Sequence, residues 1–371
     1  MPSAHIVVES SIEDSFRVAA MRGLFDVPIE EKNRHEWDIN IPIEDNEWNI
    51  GLMIGASGSG KTTCVKQLFG NDKYHNEFKW DRTKAIIDCF PKELSVQDIT
   101  NLLSHVGFSS PPSWTKSYQV LSTGQKFRVE MARILAEDKE LVVIDEFTSV
   151  IDRNAAMIGS YAVSKAIRKK NKKIVCVSCH RDILEWLEPD WIYDMDINQF
   201  ARRRLRRPCI KLELYKVNRK AWSMFKEHHY LTRDISKSAP CYVAYWNDVP
   251  VAFTSIIGKI GFKNSLREHR TVVLPDYQGV GIGNAISEMM GDMIIARGLR
   301  YYSTTSHPAF AKHRCKSKKW RLIRNPSRSG RDRKRIGTTA TDRLTVGFEY
   351  IGEPDNNVRT VGIAGQHLHA T

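Results

Sequence analysis

Gly55-Ala56-Ser57-Gly58-Ser59-Gly60-Lys61-Thr62 is the stretch that decides the fold of the first half of this chain. It has the form G-x-x-x-x-G-K-T, the phosphate-binding P-loop, with every required position filled. The mostly apolar residues 48–54 before it indicate a buried strand, and residues 62–69 after it can continue as a helix. Backbone N–H groups at such a helix start point towards a bound phosphate. The motif and its context together predict a nucleoside triphosphate site.

Within this loop two side chains have predicted roles. Lys61 would reach the β- and γ-phosphates of ATP, and the Thr62 hydroxyl would bind Mg²⁺. The residues predicted to bind ATP here are Gly55, Ala56, Ser57, Gly58, Ser59, Gly60, Lys61, Thr62 and Thr63.

The composition indicates a globular protein. The 371 residues suffice for two domains, and 42% of them are hydrophobic and 27% charged. Because no apolar run is long enough for a membrane span and the N-terminus lacks a signal-peptide pattern, we expect a cytoplasmic protein with no membrane partner. Seven scattered cysteines fit a reducing compartment. Cys176 and Cys179 form a C-x-x-C, for which core packing is a better account than metal or redox chemistry.

The net charge of +13 favours a polyanionic partner, although solubility alone is another reason for such an excess. One basic cluster spans Arg202–Arg207, and residues 312–335 hold twelve Lys or Arg against one acid. We predict nucleic-acid contacts here, with Trp320 stacking on a base. An ordinary solvated loop is the alternative. The residues predicted for this surface are Arg203, Arg206, Lys316, Lys318, Lys319, Trp320 and Arg321.

A second motif of the first half is the apolar strand Leu141–Ile144, which ends in Asp145 and Glu146. The strand end would deliver Asp145 to Mg²⁺ and place Glu146 beside the attacking water. Residues 174–178 form the next buried strand, after which His180 would lie near the γ-phosphate. Between the P-loop and these strands, Leu121-Ser122-Thr123-Gly124-Gln125 leads into an amphipathic helix with a serine cap.

Other local patterns of the first half are weaker. Residues 6–8, 16–19 and 85–88 indicate short strands, and residues 96–106 indicate a helix. Phe25 or Trp37 could stack on an adenine ring, but core packing is the preferred interpretation for both.

The segment from Met1 to about Arg204 resembles an ABC-type ATPase. Residues 55–62 match the Walker A motif, 121–125 the LSGGQ signature, 141–146 Walker B, 149–152 the D-loop, and His180 the switch histidine. The resemblance implies a head-to-tail homodimer driven by ATP. Ser122, Gly124 and Gln125 of one subunit would then contact the ATP held by the P-loop of the other. The sequence departs from the family in three ways: Thr123 stands where the signature has a glycine, no Q-loop glutamine is evident near Asp88, and the segment 63–121 is short for a transporter.

After Pro208 the pattern changes to strand, short helix, hairpin, strand, glycine loop, helix and strand. We therefore predict two domains, 1–207 and 208–371. The fold class is α/β, a P-loop domain followed by a smaller α+β domain. Asn247-Asp248 is the predicted hairpin turn, and residues 220–228 are the predicted short helix.

The glycine loop is Gln278-Gly279-Val280-Gly281-Ile282-Gly283, which predicts an anion site at a helix N-terminus. A Rossmann dinucleotide site needs G-x-G-x-x-G, whereas the glycines here are spaced G-x-G-x-G. The loop resembles motif A of the GNAT acyltransferases, in which backbone N–H groups hold the coenzyme A pyrophosphate. That resemblance covers residues 209–352 and implies an acyl-CoA such as acetyl-CoA. It also implies that Val273 offers backbone hydrogen bonds to the pantetheine.

The residues of this second domain that would bind the acceptor are less clearly marked by the sequence. His229 and Tyr230 close the predicted short helix where GNAT enzymes recognise acceptors, and either could take a proton from an amine. Residues 228–230 with 270–283 also resemble, more weakly, the Mom-type phage acyltransferases that modify adenine in DNA. Residues 301–307 are further candidates, for which packing and capping are the competing explanation.

Taken together, the sequence predicts an ABC-type ATPase that gates or positions a GNAT acyltransferase acting on DNA or RNA. Two alternatives stay open. One is an ATP-dependent nucleic-acid clamp or regulator without acyl transfer, and the other is a protein or small-amine N-acetyltransferase under ATP control.

Overall fold

The computed structural model describes residues 3–10, 15–25, 33–44, 46–75, 77–202, 210–229, 233–328 and 344–353. These residues form a two-stranded, a five-stranded and a seven-stranded sheet. The first two sheets lie in the part of the chain up to residue 202, the N-terminal part. The third lies in the part from residue 210, the C-terminal part. The boundary predicted at 207/208 lies outside the described residues.

The N-terminal part is built on the five-stranded sheet. Its strands and those of the small sheet are β1 (Ser3–Ser10), β2 (Asn33–Asn40), β3 (Ile50–Ile54), β4 (Leu141–Ile144), β5 (Lys173–Ser178), β6 (Trp191–Asp194) and β7 (Gln199–Ala201). In the large sheet the order is β4-β5-β3-β6-β7; the first four strands run parallel and β7 is antiparallel. The P-loop strand β3 therefore lies at the centre of the sheet, between β5 and β6.

The helices of this part are α1 (Phe16–Phe25), α2 (Lys61–Phe69), α3 (Val96–His105), α4 (Pro111–Trp114), α5 (Thr123–Ala136), α6 (Arg153–Lys170) and α7 (Leu184–Leu187). Two predicted strands are wrong. Residues 16–19 begin α1, and residues 86–89 form a 3₁₀ helix whose Ile86 N–H bonds to the Lys116 carbonyl instead of to a strand. Such short apolar runs do not distinguish strand from helix until a partner is known.

All five residues of β3 are buried, because helices cover both faces of the sheet. Its alternate residues enter different cores. Ile50, Leu52 and Ile54 pack with α3, α5 and α6, whereas Met53 packs with α2 and the small sheet. This two-sided burial explains the continuous apolar run before the P-loop.

The C-terminal part is a seven-stranded sheet with two helices. Its elements are β8 (Glu213–Val217), β9 (Cys241–Trp246), β10 (Val249–Gly258), β11 (Ser265–Val273), α8 (Ile282–Ile295), β12 (Arg300–Thr305), α9 (Pro308–Lys316), β13 (Trp320–Arg328) and β14 (Leu344–Tyr350). The predicted helix over 220–228 is a pair of 3₁₀ helices, Arg219–Met224 and Lys226–His228. The predicted hairpin is confirmed. Asn247 and Asp248 both have positive φ, at 50° and 63°, between the antiparallel strands β9 and β10.

One strand pair of this sheet positions the site. Its order is β13-β14-β12-β11-β10-β9-β8, and β11 and β12 are parallel to each other. They pair only at Ser265–Arg267 with Arg300–Tyr302, near their starts. Beyond these residues the two strands diverge, which leaves a cleft at their carboxyl ends.

Candidate functional site

The P-loop forms the turn that its glycines permit. Gly58 and Gly60 have φ of 81° and 84°, in the left-handed region that other residues avoid. Lys61 begins α2, and its Nζ donates to the carbonyls of Gly55 at 2.9 Å and Ala56 at 2.6 Å. The ammonium group is therefore held against the loop, with the N-terminus of α2 beside it.

Oxygen ligands suited to a magnesium ion converge next to this loop. Thr62 Oγ1 donates to Asp145 Oδ2 at 2.6 Å, and Tyr74 Oη donates to the same oxygen at 2.9 Å. Burial, followed by the Asp145 carboxylate, raises the pKa of Tyr74 to about 12, so the phenol stays protonated. A hydroxyl and a carboxylate are hard oxygen donors, which fit Mg²⁺. Tyr74 has no motif around it and could not be found from the sequence.

The residue after Asp145 has an unusual backbone. Glu146 has φ of 52°, and its carbonyl accepts from the N–H and hydroxyl of Ser149 at 3.0 and 2.8 Å. A non-glycine residue in this region costs of order 1–3 kcal/mol and is typical of functional sites. The turn directs Glu146 into a cavity of about 240 Å³ that it shares with the P-loop, Asp145 and Cys179. His180 follows one residue after the last lining residue.

Two further contacts brace the P-loop. The Ala56 N–H donates to Asp196 Oδ1 at 2.8 Å, and Arg181 forms ion pairs with Asp194 and Asp196. On another side, a Cβ at Gly60 would lie 2.5 Å from the ring of Trp37. Trp37 is thus partly buried against the loop, whereas Phe25 is 73% exposed.

The predicted signature segment begins α5. Ser122 and Gln125 form a reciprocal capping box, so both side chains are already hydrogen-bonded to the helix start. Ser122 is exposed, but Gly124 is buried, and Asp276 Oδ1 of the C-terminal part lies 3.4 Å from the position of its absent Cβ. Among the described residues that line the P-loop cavity, none comes from this segment.

The glycines of the second loop have three different environments. Gly281 is the N-cap of α8 with φ of 96°, and the space where a Cβ would be is open. Gly279, with φ of 91°, would place a Cβ 2.6 Å from the Cα of Gly107. A Cβ at Gly283 would lie 2.8 Å from the Phe310 ring. Only Gly281 therefore combines a left-handed backbone with free access for an anion, while the other two permit close packing.

Gln278 connects this loop to both parts of the chain. Its Nε2 donates to the Val273 carbonyl at 3.0 Å, and its Oε1 accepts from the Ser109 N–H at 3.1 Å. The predicted pantetheine contact at Val273 would thus share its carbonyl with Gln278. Val280 packs its side chain against the core of the C-terminal part, and Ile282 is buried in the same core.

A cavity of about 640 Å³ lies in the cleft between β11 and β12 and opens at the glycine loop. One wall is formed by the C-terminal part, including Thr271 and Val273 of β11 and Thr305 of β12. The other wall is formed by the N-terminal part, including His105, Ser109 and Lys169. The sequence predicted the first wall and missed the second, because no local pattern marks residues that a distant loop will approach.

A buried charge network lies at the base of this cavity. Arg314 is 1% exposed and donates to Glu268 at 3.1 Å and to the Ser287 hydroxyl at 2.8 Å. Burial alone would raise the pKa of Glu268, but Arg314 and the Ser303 and Thr271 hydroxyls hold it below its usual value. Glu268 is therefore ionised and paired, which makes it part of the frame rather than a free base.

Six of the chain's twelve histidines line the cavity: His105, His228, His229, His269, His307 and His313. Of the predicted acceptor-side residues, His229 is among them, whereas Tyr230 lies outside the described residues. Burial, followed by Arg270 and Arg267, lowers the pKa of His269 to about 4, and its Nε2 accepts from the Ser236 N–H. His269 is thus neutral at pH 7. The sequence did not single it out.

One of the contacts between the two parts is made by a buried cation. Arg128 of α5 donates to the carbonyls of Gly107 at 2.8 Å, Pro275 at 2.7 Å and Asp276 at 2.8 Å. Burial lowers its pKa to about 10, so it is charged at neutral pH. The signature helix and the turn that precedes the glycine loop are therefore joined through one guanidinium group.

The structure corrects the predicted nucleic-acid surface. Trp320 is 5% exposed and packs with Tyr301 and Tyr350, so the prediction that it stacks on a base is wrong. Arg321 pairs with Glu349 at 2.5 Å, and Lys319 with Glu288 at 3.5 Å. Lys316 and Lys318 are exposed. Arg203 and Arg206 lie outside the described residues.

Comparison with known proteins gives partial similarities. No protein-family model matches the chain. An ABC transporter ATP-binding protein of Mycoplasma pneumoniae is 27% identical over 183 residues, which cover 40% of this chain and 54% of that protein. The zinc import ATP-binding protein ZnuC of Pseudomonas aeruginosa is 31% identical over 134 residues, covering 31% and 49%. The chain spans about half the length of these curated relatives.

Two kinds of solved structure are also similar to the chain. A dimeric bacterial ABC transporter cassette has a TM-score of 0.34 and 16% identity, covering 42% of this chain and 84% of that one. An acetyltransferase of Bacillus subtilis in complex with CoA has a TM-score of 0.30 and 13% identity, covering 38% and 98%.

The fold is an α/β P-loop part followed by a mixed α+β part, as the sequence predicts. The parallel sheet with β3 at its centre and the diverging parallel pair β11 and β12 are its two diagnostic features. Among the described residues, no helix is both long and apolar enough to cross a membrane.

Proposed function

We propose that this protein is a cytoplasmic ATPase coupled to an acyltransferase that takes its acyl group from coenzyme A. The observation that carries this proposal is the cavity between β11 and β12. The glycine loop of this cavity leaves the N-terminus of α8 open to an anion, and the opposite wall of the cavity belongs to the N-terminal part. An acyl-CoA has the extended, phosphate-bearing shape that such a cleft accommodates.

At the P-loop, ATP with Mg²⁺ would supply the phosphoryl group that water attacks. The residues that would hold the ion are Thr62 and Asp145, whose side-chain oxygens are 2.6 Å apart. Lys61 would neutralise phosphate charge, and Glu146 would accept the proton of the attacking water. Arg153 pairs with Asp182, which ties the segment after Glu146 to the segment after His180. A displacement of either segment would therefore displace the other through this ion pair.

At the cleft, an acceptor amine would attack the thioester carbonyl carbon of the acyl-CoA. The C–N bond forms, the C–S bond breaks, and coenzyme A leaves as the thiolate, which takes up a proton. A histidine of the cavity, with His229 as the predicted residue, would accept the proton that the amine loses. Gly281 would let a phosphate approach the backbone N–H groups of α8.

ATP-dependent dimerisation belongs to the same proposal. Ser122 is exposed at the start of α5 and is free of the P-loop cavity of its own chain, which supports a role across a dimer interface. Asp276 lies beside Gly124, so a γ-phosphate from a partner subunit would approach a carboxylate of the C-terminal part. Binding of ATP in the dimer and the position of the glycine loop would then be linked.

For the acceptor we propose a nucleic-acid base, in DNA or RNA, as the Mom-type likeness suggests. The net charge of +13 and the exposed Lys316 and Lys318 near α9 support this choice. The burial of Trp320 removes the proposed stacking contact, so the remaining argument is electrostatic. A protein or a small amine is the competing acceptor.

The test is an acyl-transfer assay with acetyl-CoA labelled on the acetyl group. The protein is incubated with and without ATP and Mg²⁺, and with RNA, DNA, a protein extract or polyamines as acceptors. Label in RNA or DNA supports the proposal, and mass spectrometry of the nucleosides then identifies the modified base. Label only in protein or polyamine would overturn the nucleic-acid acceptor, and no ATP-dependent transfer to any acceptor would overturn the coupled function.

A further inference from the structure

Four lysines from two distant segments lie near one another, and two of them line the cleft. Lys165 and Lys169 are one turn apart on α6 of the N-terminal part and line the same cavity as Gly281. Lys312 and Lys316 are one turn apart on α9 of the C-terminal part, and they act electrostatically on Lys169. We call these four residues the lysine cluster.

The lysine cluster contains uncompensated positive charge. In the part of the chain that the structure describes, none of the four lysines forms an ion pair with a carboxylate. Lys169 Nζ instead contacts Nε2 of His105 at 2.5 Å. The two acids that line the cavity are already paired, Glu288 with His313 and Lys319 and Glu268 with Arg314. Like charges brought together without a counter-ion repel each other, so an anion bound between them would be stabilising.

The lowered pKa values of Lys169 and His105 agree with an excess of positive charge in the cluster. Burial, followed by the nearby Lys312, lowers the pKa of Lys169 to about 8. Burial and Lys169 lower the pKa of His105 to about 4. A bound dianion would reverse both effects, because it favours the charged form of each group.

We propose that Lys165, Lys169 and Lys312 form a phosphate subsite that receives the phosphomonoester on the nucleotide end of coenzyme A. This proposal rests on the proposed function, since it places the acyl donor in the cleft. It adds that the ATPase part itself binds the donor, through α6, while the N-terminus of α8 binds the pyrophosphate. The two phosphate groups of one ligand would thus bridge the two parts of the chain.

The compactness of the cluster favours this ligand over a nucleic acid. Lys165 and Lys169 are one turn apart on α6, and Lys165, Lys312 and Lys316 all act electrostatically on Lys169, so the cationic groups lie close together. A phosphomonoester carries up to two charges on three oxygens and suits convergent donors. A nucleic-acid backbone is instead bound by a track of cations along successive phosphates.

The experiment compares coenzyme A with 3′-dephospho-coenzyme A, which lacks only the phosphomonoester, by titration calorimetry at one salt concentration. The variants are Lys165→Ala/Lys169→Ala and the control Lys139→Ala, an exposed lysine that pairs with Glu137. We expect the wild type and the control to bind coenzyme A at least about tenfold more tightly than the dephospho compound. In the double variant the preference should fall to about twofold, with unchanged affinity for the dephospho compound.

Each other outcome has a distinct meaning. Equal affinity of the wild type for both compounds would overturn the subsite and leave the acyl donor in place. Binding of neither compound would overturn the proposed function as well. If the double variant keeps the preference but loses salt-dependent binding to an oligonucleotide, the lysine cluster is a nucleic-acid contact and the proposal is wrong. Thermal melting of each variant verifies that it is folded.

Discussion

The P-loop and the glycine loop share a local backbone geometry, but their cavities are lined by different parts of the chain. Each loop follows a strand and ends in a glycine that caps a helix, with φ of 84° at Gly60 and 96° at Gly281. The residues that line the P-loop cavity of about 240 Å³, from Ser57 to Cys179, all belong to the N-terminal part. The glycine-loop cavity of about 640 Å³ is lined by both parts of the chain.

The P-loop cavity therefore depends on one part of the chain, whereas the glycine-loop cavity depends on contacts between both parts. The lysine, hydroxyl and carboxylate at the P-loop all belong to the N-terminal part of one chain. The glycine loop depends on Arg128 of α5 and on Ser109 for its shape. A change at Arg128 would therefore disturb the glycine loop without removing a residue that lines the P-loop cavity of the same chain.

The largest effect is expected at the P-loop site. Glu146→Gln should lower ATP hydrolysis by about 10²–10⁴, because the amide cannot accept the proton of water. The variant should still bind ATP and accumulate as a dimer, measured by size-exclusion chromatography with ATP and Mg²⁺. Glu140→Gln, an exposed residue before β4, is the matched control. A Glu146→Gln protein that stays monomeric with ATP bound contradicts the dimer model.

The second largest effect is expected for a substitution of Arg128, which contacts both parts of the chain. Arg128→Met leaves the carbonyls of Gly107, Pro275 and Asp276 without their buried donor, which should cost about 3 kcal/mol of unfolding free energy. We expect calorimetry to show two thermal transitions instead of one, since the parts lose the buried guanidinium that connects Gly107 to Pro275 and Asp276. Arg133→Met, on the same helix but packed on Phe78 and Phe90, should retain a single transition. A single transition for Arg128→Met would show that Arg128 does not join the parts.

A smaller effect is expected at the glycine loop. Gly281→Val puts a branched side chain at φ of 96° and in the path of a phosphate, which should weaken coenzyme A binding by at least about tenfold. Affinity for ATP should be unchanged, and calorimetry can measure both. Gly298→Val, also at positive φ with open space around it, controls for backbone strain alone. If the two variants bind coenzyme A equally well, the anion site is not at Gly281.

The smallest effect concerns acid stability. Burial lowers the pKa of His105 and His269 from 6.5 to about 4, so the unfolded chain binds more protons between these pH values. Stability is therefore fully present above pH 6.5 and is lost as the pH falls towards 4. His269→Gln, which keeps an acceptor for the Ser236 N–H, should reduce this loss by about 1–2 kcal/mol after allowance for partial exposure. Urea unfolding at several pH values would measure it, and an unchanged pH slope would contradict the assignment.

Much of the fold could be predicted from the sequence. The P-loop strand and helix, the hairpin at Asn247-Asp248 and the glycine loop before α8 each follow from residues within a few positions. The wrong strand predictions at residues 16–19 and 85–88 occurred where short apolar runs had no such signal. The roles of the individual site residues remain predictions.

The sequence by itself determined the two glycine-rich loops and the order of the two folds, because glycine spacing and hydrophobic period act over short distances. Only the tertiary structure decided that Tyr74 donates to Asp145, that Trp320 is buried, and that Arg128 joins the two parts. It also decided that Lys169 and Lys312, 143 positions apart, are neighbours. Burial and charge proximity depend on which distant segments pack together, and no local pattern carries that information.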